Sequence, residues 1–282
     1  MNIQEIFLTL SDYWKSRGCY IAPTYDMEVG AGTMSPDTIF RVLGPKPYRV
    51  AYMQPSRRPT DGRYGENPNR VQKHFQYQAI LKPAPKNSQQ LYIDSLKALG
   101  IDLKKNFLSF EEDNWESPTL GAWGVGWQVM LNGLEVTQFT YFQQAGGVDL
   151  YPVPLEITYG IERLALFLAG KDNIYELEWG GGITYRDLRF KEEVQFSEFN
   201  FKEANIDTLQ TTFELYEKEI KNLIEKGLYH PAYDYALKLS HIFNLLDARR
   251  AISITQRQKI ILTIRNYVKE IVQLYLEDIS NE

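Results

Sequence analysis

Residues 149–170 read DLYPVPLEITYGIERLALFLAG, and the change of period inside them decides the fold. After two prolines at alternate positions, Pro152 and Pro154, residues 155–159 alternate apolar and polar, as a strand with one buried face does. Gly160 breaks that pattern. Ile161, Leu164, Ala165 and Leu168 then recur at helical spacing until Gly170 stops the helix. A strand enters, a glycine turns it and a helix leaves. The first turn of this helix carries Glu162 and Arg163, although the dipole at a helix start favours anions. Such an arginine is either a solvated or ion-paired surface charge, or a cation held to face a bound polyanion, with Glu156 seven residues earlier facing the same cavity.

The rest of the chain decides between the two. Its 282 residues are 44% hydrophobic, enough for a sizeable core in one large or two smaller domains. No apolar run reaches the ~18–20 residues of a membrane span. The opening MNIQEIF has no basic-then-apolar signal pattern, and the single Cys19 cannot form an internal disulfide. A globular protein of the cytoplasm is expected. The net charge of −5 argues against a chain that holds nucleic acid by itself. The charge is uneven, however: Arg41, Lys46, Arg49, Arg57, Arg58, Arg63, Arg70 and Lys73 form a basic island containing only Asp61 and Glu66 as acids.

Breakers mark the domains. Twelve of 13 prolines precede residue 155, and 18 of 19 glycines lie at or before Gly182. The remaining Gly227 and Pro231 bracket one turn, so the C-terminal third reads as almost all helix. Leu209, Phe213, Tyr216, Ile220 and Leu223 share one helical face; Tyr235, Leu239, Ile242 and Leu246 a second; Ile260, Ile264, Tyr267, Ile271 and Leu274 a third. Ser253 and Gln256 form a capping box for the last helix. The division expected is 1–190 and 191–282.

The N-terminal part opens with an amphipathic helix ended by Gly18. Residues 26–45 (DMEVGAGTMSPDTIFRVLGP) suit a turn or an interface better than a sheet centre. Strands at 48–57 and 74–82, joined by the polar loop 58–70, predict a long antiparallel hairpin. Residues 88–100 predict a helix, 135–144 a strand, and the tryptophans and glycines of 114–133 a rim. Successive strands without regular helical crossovers make the sheet mostly antiparallel, and the fold class α+β.

Four charged residues now line up: Arg57 ending one strand, Glu135 starting another, Glu156 on a third, and Arg163 opening the helix behind it. With them the chain resembles the class II aminoacyl-tRNA synthetases, and among these the α-subunit family of the bacterial heterotetrameric glycyl-tRNA synthetases. Residues 26–45, with Pro36, resemble the first class motif, 53–82 the second and 160–163 (GIER) the third. Residues 112–124 (EDNWESPTLGAWG) and 133–144 (GLEVTQFTYFQQ) also resemble parts of the alanyl enzymes. The resemblance spans about residues 1–190, and the helical tail fits it.

That resemblance implies a class II antiparallel sheet flanked by helices, with a helical domain behind it. It implies activation of glycine with ATP and Mg²⁺ to glycyl-adenylate, followed, with a β subunit, by transfer to tRNA(Gly). Two anions must meet in such a reaction while charge on phosphorus oxygens is stabilised, which is work for positioned arginines. Arg57 takes the α-phosphate, Arg163 the γ-phosphate and Glu135 the Mg²⁺, with Phe75 and Gln138 as further ATP contacts. Glu156 would pair with the glycine ammonium, and Gln76, Gln78, Trp115 and Thr158 complete its pocket. Thr158 stands where the alanyl enzymes carry glycine and so shrinks the floor. Attraction separates one methylene by only ~1–3 kcal/mol, so excluding alanine needs a clash. Arg63, Arg70 and Lys73 would meet the tRNA acceptor end. The partners implied are a β subunit in an α₂β₂ assembly, with an α–α homodimer through 26–45 and the tail, 12 basic and 15 acidic residues over 191–282, as docking surface. The rival readings are a synthetase-like paralogue that activates an amino acid without charging tRNA, and a non-catalytic assembly subunit.

Overall fold

The alternation of residues 155–159 becomes, in three dimensions, rows of side chains running across neighbouring strands. The computed structural model describes residues 1–281. Its strands are β1 (Tyr20–Ile21), β2 (Tyr48–Arg57), β3 (Lys73–Lys82), β4 (Leu108–Glu112), β5 (Trp115–Ser117), β6 (Ala122–Leu131), β7 (Leu134–Ala145), β8 (Val148–Asp149) and β9 (Leu155–Gly160). They form one sheet in the order β1-β2-β3-β9-β7-β6-β4, with β5 beside β6 and β8 beside β7. The short β1–β2 pairing is parallel and the central ones are antiparallel. The helices are α1 (Ile3–Ser16), α2 (Pro36–Ile39), α3 (Ser88–Ala98), α4 (Ile161–Ala169), α5 (Tyr185–Glu198), α6 (Ile206–Glu225), α7 (Tyr229–Ala248) and α8 (Ile254–Asn281). This is the expected antiparallel sheet with flanking helices and a helical tail. Among the described residues no helix is long and apolar enough to cross a membrane.

Strand register sorts the sheet into two chemically different faces. One row, Ala51–Ala79–Ile157–Phe139–Trp127, is wholly apolar. It is covered by Ile6, Leu10 and Trp14 of α1, Tyr92 and Leu96 of α3, and Leu164 and Ala165 of α4. Shifted by one residue, the row Tyr52–Gln78–Thr158–Gln138 lies on the other face and is polar over three strands. The second face is therefore divided. Its polar centre is left for a cavity, while Val50, Tyr52, Ile80 and Phe142 join Ile220 of α6, Tyr233 and Leu239 of α7, and Ile264 and Ile271 of α8 in a second core. Val29, Met34, Ile39 and Phe40 from 26–45 insert into that core as well.

Three sequence expectations change. Residues 114–133 are strand rather than loop, supplying the edge strand β5 and the ten-residue β6 next to it. Gly124 and Gly126, inside β6, mark close approach rather than a turn: a Cβ on Gly124 would lie 2.5 Å from Thr140 Cγ2, and one on Gly126 2.8 Å from the Phe139 carbonyl. Pro231 sits inside the first turn of α7, where its missing N–H is not needed. Finally, the position 190/191 falls inside the continuous helix α5, and the tail beyond it shares a core with the sheet.

The shared core generates a test. All 5 tryptophans precede residue 180, so their fluorescence reports on the sheet half alone. Ile220 is 0% exposed in the tail half. Ile220→Ala should cost about 2–5 kcal/mol and move the tryptophan-detected urea transition together with the helical signal. An unmoved tryptophan transition would show that the tail folds by itself.

Candidate active site

A cavity of about 700 Å³ opens over the polar centre of the sheet, a size ordinary for a small-molecule site. Its walls include Thr33, Arg58, His74, Gln76, Trp115, Glu135, Gln138, Thr158, Glu162 and Arg163, with Asn67, Asn69 and Arg70 from the β2–β3 loop. Residues far apart in sequence meet because β3, β7 and β9 are neighbours, and α4 starts where β9 ends.

The charged end is built from the helix start and the loop. Arg163 donates to the Glu135 carboxylate at 2.6 Å and to the Glu135 carbonyl at 3.1 Å, so both expected residues stand together on one wall. Arg70 lies 3.6 Å from Asp61. The expected Arg57 is not on this wall. It leaves the end of β2 on the other side, 3.9 Å from Glu28 and with its guanidinium over the Phe196 ring. Its neighbour Arg58 turns inward and donates from Nε to the Gly30 carbonyl at 3.0 Å. Consecutive residues leaving an extended strand point opposite ways, so of two adjacent arginines one lines the cavity and the other does not.

The same parity corrects Phe75. Its ring is 3% exposed in the first core, edge-on to Trp179 and beneath the Arg189 guanidinium. The ring that β3 turns to the cavity is His74, in line with Gln76 and Gln78. Enclosure, reinforced by Arg58 and Arg163, pushes its pKa down to about 3, so His74 is neutral across the physiological range. Glu162, also unread in the sequence, accepts from the Phe75 N–H at 2.9 Å and the Tyr185 hydroxyl at 3.0 Å. Burial raises its pKa to about 7 against those bonds.

The floor is closed by a turn of 3-10 helix, Gly32–Met34. Gln76 Oε1 accepts from the Gly32 N–H at 2.8 Å and the Ser56 hydroxyl at 2.9 Å. Gln78 Oε1 accepts from Thr158 Oγ1 at 2.6 Å, while its Nε2 has no partner among the described residues. Gly32 lies so close over Gln78 that a Cβ there would be 2.2 Å from Nε2. Trp115 stands on the wall with its ring edge against Phe142. Glu156 lies one row deeper, 2% exposed, with the Thr33 hydroxyl 2.9 and 3.0 Å from its two oxygens. Burial without a cation pushes its pKa up to about 8, the Thr33 hydroxyl pulling weakly the other way. The turn is held by the Tyr52 hydroxyl on the Gly32 carbonyl at 2.9 Å and by Tyr233 of α7 on the Met34 carbonyl at 2.7 Å.

Two of the three basic residues expected to meet an acceptor end are occupied elsewhere. Lys73 pairs with Glu192 at 2.7 Å, and Arg63 donates to the carbonyls of Thr60 and Gly62. Arg70 alone of the three lines the cavity. Among the described residues no group of three or more His, Cys, Asp or Glu could hold a metal by itself. A divalent ion here would need oxygens from a substrate besides the hard carboxylate of Glu135, the way Mg²⁺ is commonly held beside phosphates.

The model of the glycyl-tRNA synthetase alpha subunit family matches residues 3–280. Among solved structures, the chain is similar to the pyrrolysyl tRNA synthetase of Desulfitobacterium hafniense in two determinations. One aligns with a TM-score of 0.45 and 15% identity over 64% of this chain and 76% of that one. The other gives 0.44 and 14% over 65% and 76%.

Glu156 carries a pH test. Its folded pKa of about 8 stands above the ordinary 4.5, so the folded state binds this proton more tightly. The stability tied to it is complete below about pH 4.5 and is lost as pH rises through about 8. Glu162 titrates with the same sign, so the comparison is between wild type and Glu156→Gln, which keeps an acceptor for Thr33. Urea unfolding at several pH values should find the variant gaining on wild type as pH rises from 5 toward 8. A pH-independent difference would show that Glu156 is ionised throughout.

Proposed function

The chain belongs to the glycyl-tRNA synthetase alpha subunit family, and we propose that its cavity is where glycine and ATP form glycyl-adenylate. The family implies glycine and tRNA as substrates, and a β subunit as partner. The observation that carries the proposal is the pairing of two cationic arms, Arg58 and Arg163, at one end of a cavity whose other end is small, polar and closed.

In this reading the glycine carboxylate attacks the α-phosphorus and pyrophosphate leaves. No side chain needs to act as nucleophile, and positioning with charge stabilisation does the work. Arg58 takes the α-phosphate role assigned to Arg57 from the sequence, and Arg163 keeps the γ-phosphate. Both guanidiniums are permanently charged and forked, suited to two oxygens at once. Glu135 would hold Mg²⁺, which when bound supplies neutralising charge between phosphate groups. The neutral His74 ring, in place of Phe75, offers the purine a flat partner, and Gln138 also lines the cavity.

At the closed end the glycine ammonium goes to Glu156. The carboxyl is protonated at neutral pH when it has only Thr33 as partner, and an ammonium is the charge that ionises it. Gln76, Gln78 and Thr158 orient the amino acid, while Trp115 and the Gly32–Met34 turn wall the closed end and would clash with the methyl group of alanine. Arg70 approaches the tRNA end, whereas Arg63 braces its own loop and Lys73 ties the loop to α5. The α₂β₂ assembly, with a homodimer contact on 26–45, and a cytoplasmic site of action complete the reading. In that segment Asp26, Glu28, Arg41 and Pro45 remain exposed beside the buried face, available to a second copy.

Glycine-dependent pyrophosphate exchange separates the two arginines. Arg58→Ala should lower the rate about 10²–10³-fold, as loss of one preorganised electrostatic donor does, and Arg57→Ala by less than about tenfold. The reverse order would return the α-phosphate to Arg57. Unchanged exchange in both variants would remove the reaction from this cavity.

A further inference from the structure

We propose that Glu193, on α5 and outside the cavity, is a positioning residue that fixes the loop over the charged end. Its carboxylate bridges the two ends of one loop. Oε1 accepts from the Arg63 N–H at 2.8 Å and Oε2 from the Gln72 N–H at 2.9 Å. The Ser197 hydroxyl adds a third bond at 3.2 Å, and Glu193 as a whole is 3% exposed. Between the two clamped amides lie Asn67, Asn69, Arg70 and Val71, which line the cavity.

The chemistry of the clamp is specific to a carboxylate. Two backbone donors approach one side chain from opposite ends of a loop, so both oxygens must be acceptors. A glutamine has one acceptor and would set an N–H against a backbone N–H, leaving a buried donor unpaired. The loop is shaped for this seat in other ways. Gly65, at φ +75°, lies where a Cβ would be 2.5 Å from the Phe190 ring, and a Cβ on Gly62 would be 2.8 Å from Ser197 Oγ. Inside the loop, Asn67 Oδ1 accepts from the N–H groups of Asn69 at 3.0 Å and Arg70 at 2.8 Å. The Pro68 carbonyl accepts from the Ile174 N–H at 2.8 Å. The loop is thus ordered within itself and seated on α5, where the Tyr64 N–H donates to Ser197 Oγ at 3.0 Å and Lys73 pairs with Glu192, and Glu193 alone joins its two ends. Its distance from the glycine floor gives the clamp a one-sided effect: the ATP end depends on it and the Gly32–Met34 turn does not. The inference rests on reading the charged end as the ATP site.

The test is Glu193→Gln in the full chain, read by three measurements. In pyrophosphate exchange the KM for ATP should rise about tenfold or more while the KM for glycine stays within about twofold. Trypsin should cut after Arg63 or Arg70 faster than in wild type. Amide exchange in wild type should find the Arg63 and Gln72 N–H groups as slow as those of β2 and β3, and this needs no variant to fold. A faster cut with an unchanged KM for ATP overturns the inference if Arg58→Ala still raises that KM. If Arg58→Ala also leaves it unchanged, the ATP reading of this end falls and takes the inference with it. Fast exchange at Arg63 and Gln72 in wild type overturns the clamp itself.

Discussion

Glu156 has one hydroxyl, that of Thr33, against its oxygens, and no cation. A carboxyl in that position is tolerable only as an acid or beside a positive charge, and the surroundings follow from this choice. Beside it the Thr140 hydroxyl has no partner among the described residues, so the pocket is polar without being satisfied. The Gly32–Met34 turn covers the patch and offers the only side-chain bond to the acid among the described residues. That turn is one round of 3-10 helix, and Tyr52 from the sheet and Tyr233 from the tail hold its carbonyls. If a small cation binds here, as proposed, its site is built by leaving groups wanting, with the neighbouring elements bearing the cost.

For the same reason the tail is no appendage. The second face of the sheet cannot be covered by helices everywhere, because its centre must stay open to substrates. Coverage is given only to the apolar end, and α6, α7 and α8 supply it together with the segment 26–45. Tyr25 also hydrogen-bonds Asp234, so the segment leading to the turn is tied to α7 at a second point. Part of the rigidity of the cavity floor is therefore borrowed from the tail.

Much of this was legible in the sequence. The period switch at Gly160 placed β9 and α4, and alternation put Gln76 and Gln78 on one face of β3 and Glu156 and Thr158 on one face of β9, which pairing makes the same face of the sheet. The misreadings have one physical origin: a strand end does not announce which of two adjacent residues faces inward. Arg57 and Arg58 are identical in type, and Phe75 is the better stacking ring, although the parity of Gln76 and Gln78 favours His74. Arg58 and His74 line the cavity, while Phe75 lies in the first core and Arg57 over Phe196. The 114–133 stretch failed differently, because glycine in a strand looks like glycine in a turn until the neighbouring strand shows what it must avoid. Glu193 had no local signal at all, since its partners are backbone amides 130 and 121 residues away.

Gly32 is a glycine of a different kind from Gly65 or Gly170. Those two occupy left-handed backbone, at φ +75° and +60°, which few other residues adopt cheaply. Gly32 is required by what lies beneath it, the Gln78 side chain. The two kinds carry different genetic signatures. A dihedral requirement is local and no distant change relieves it, whereas a contact requirement belongs to a pair. Shortening residue 78 could therefore readmit a side chain at 32, and the two positions should drift together, as one joint choice about how much room the floor of the pocket contains.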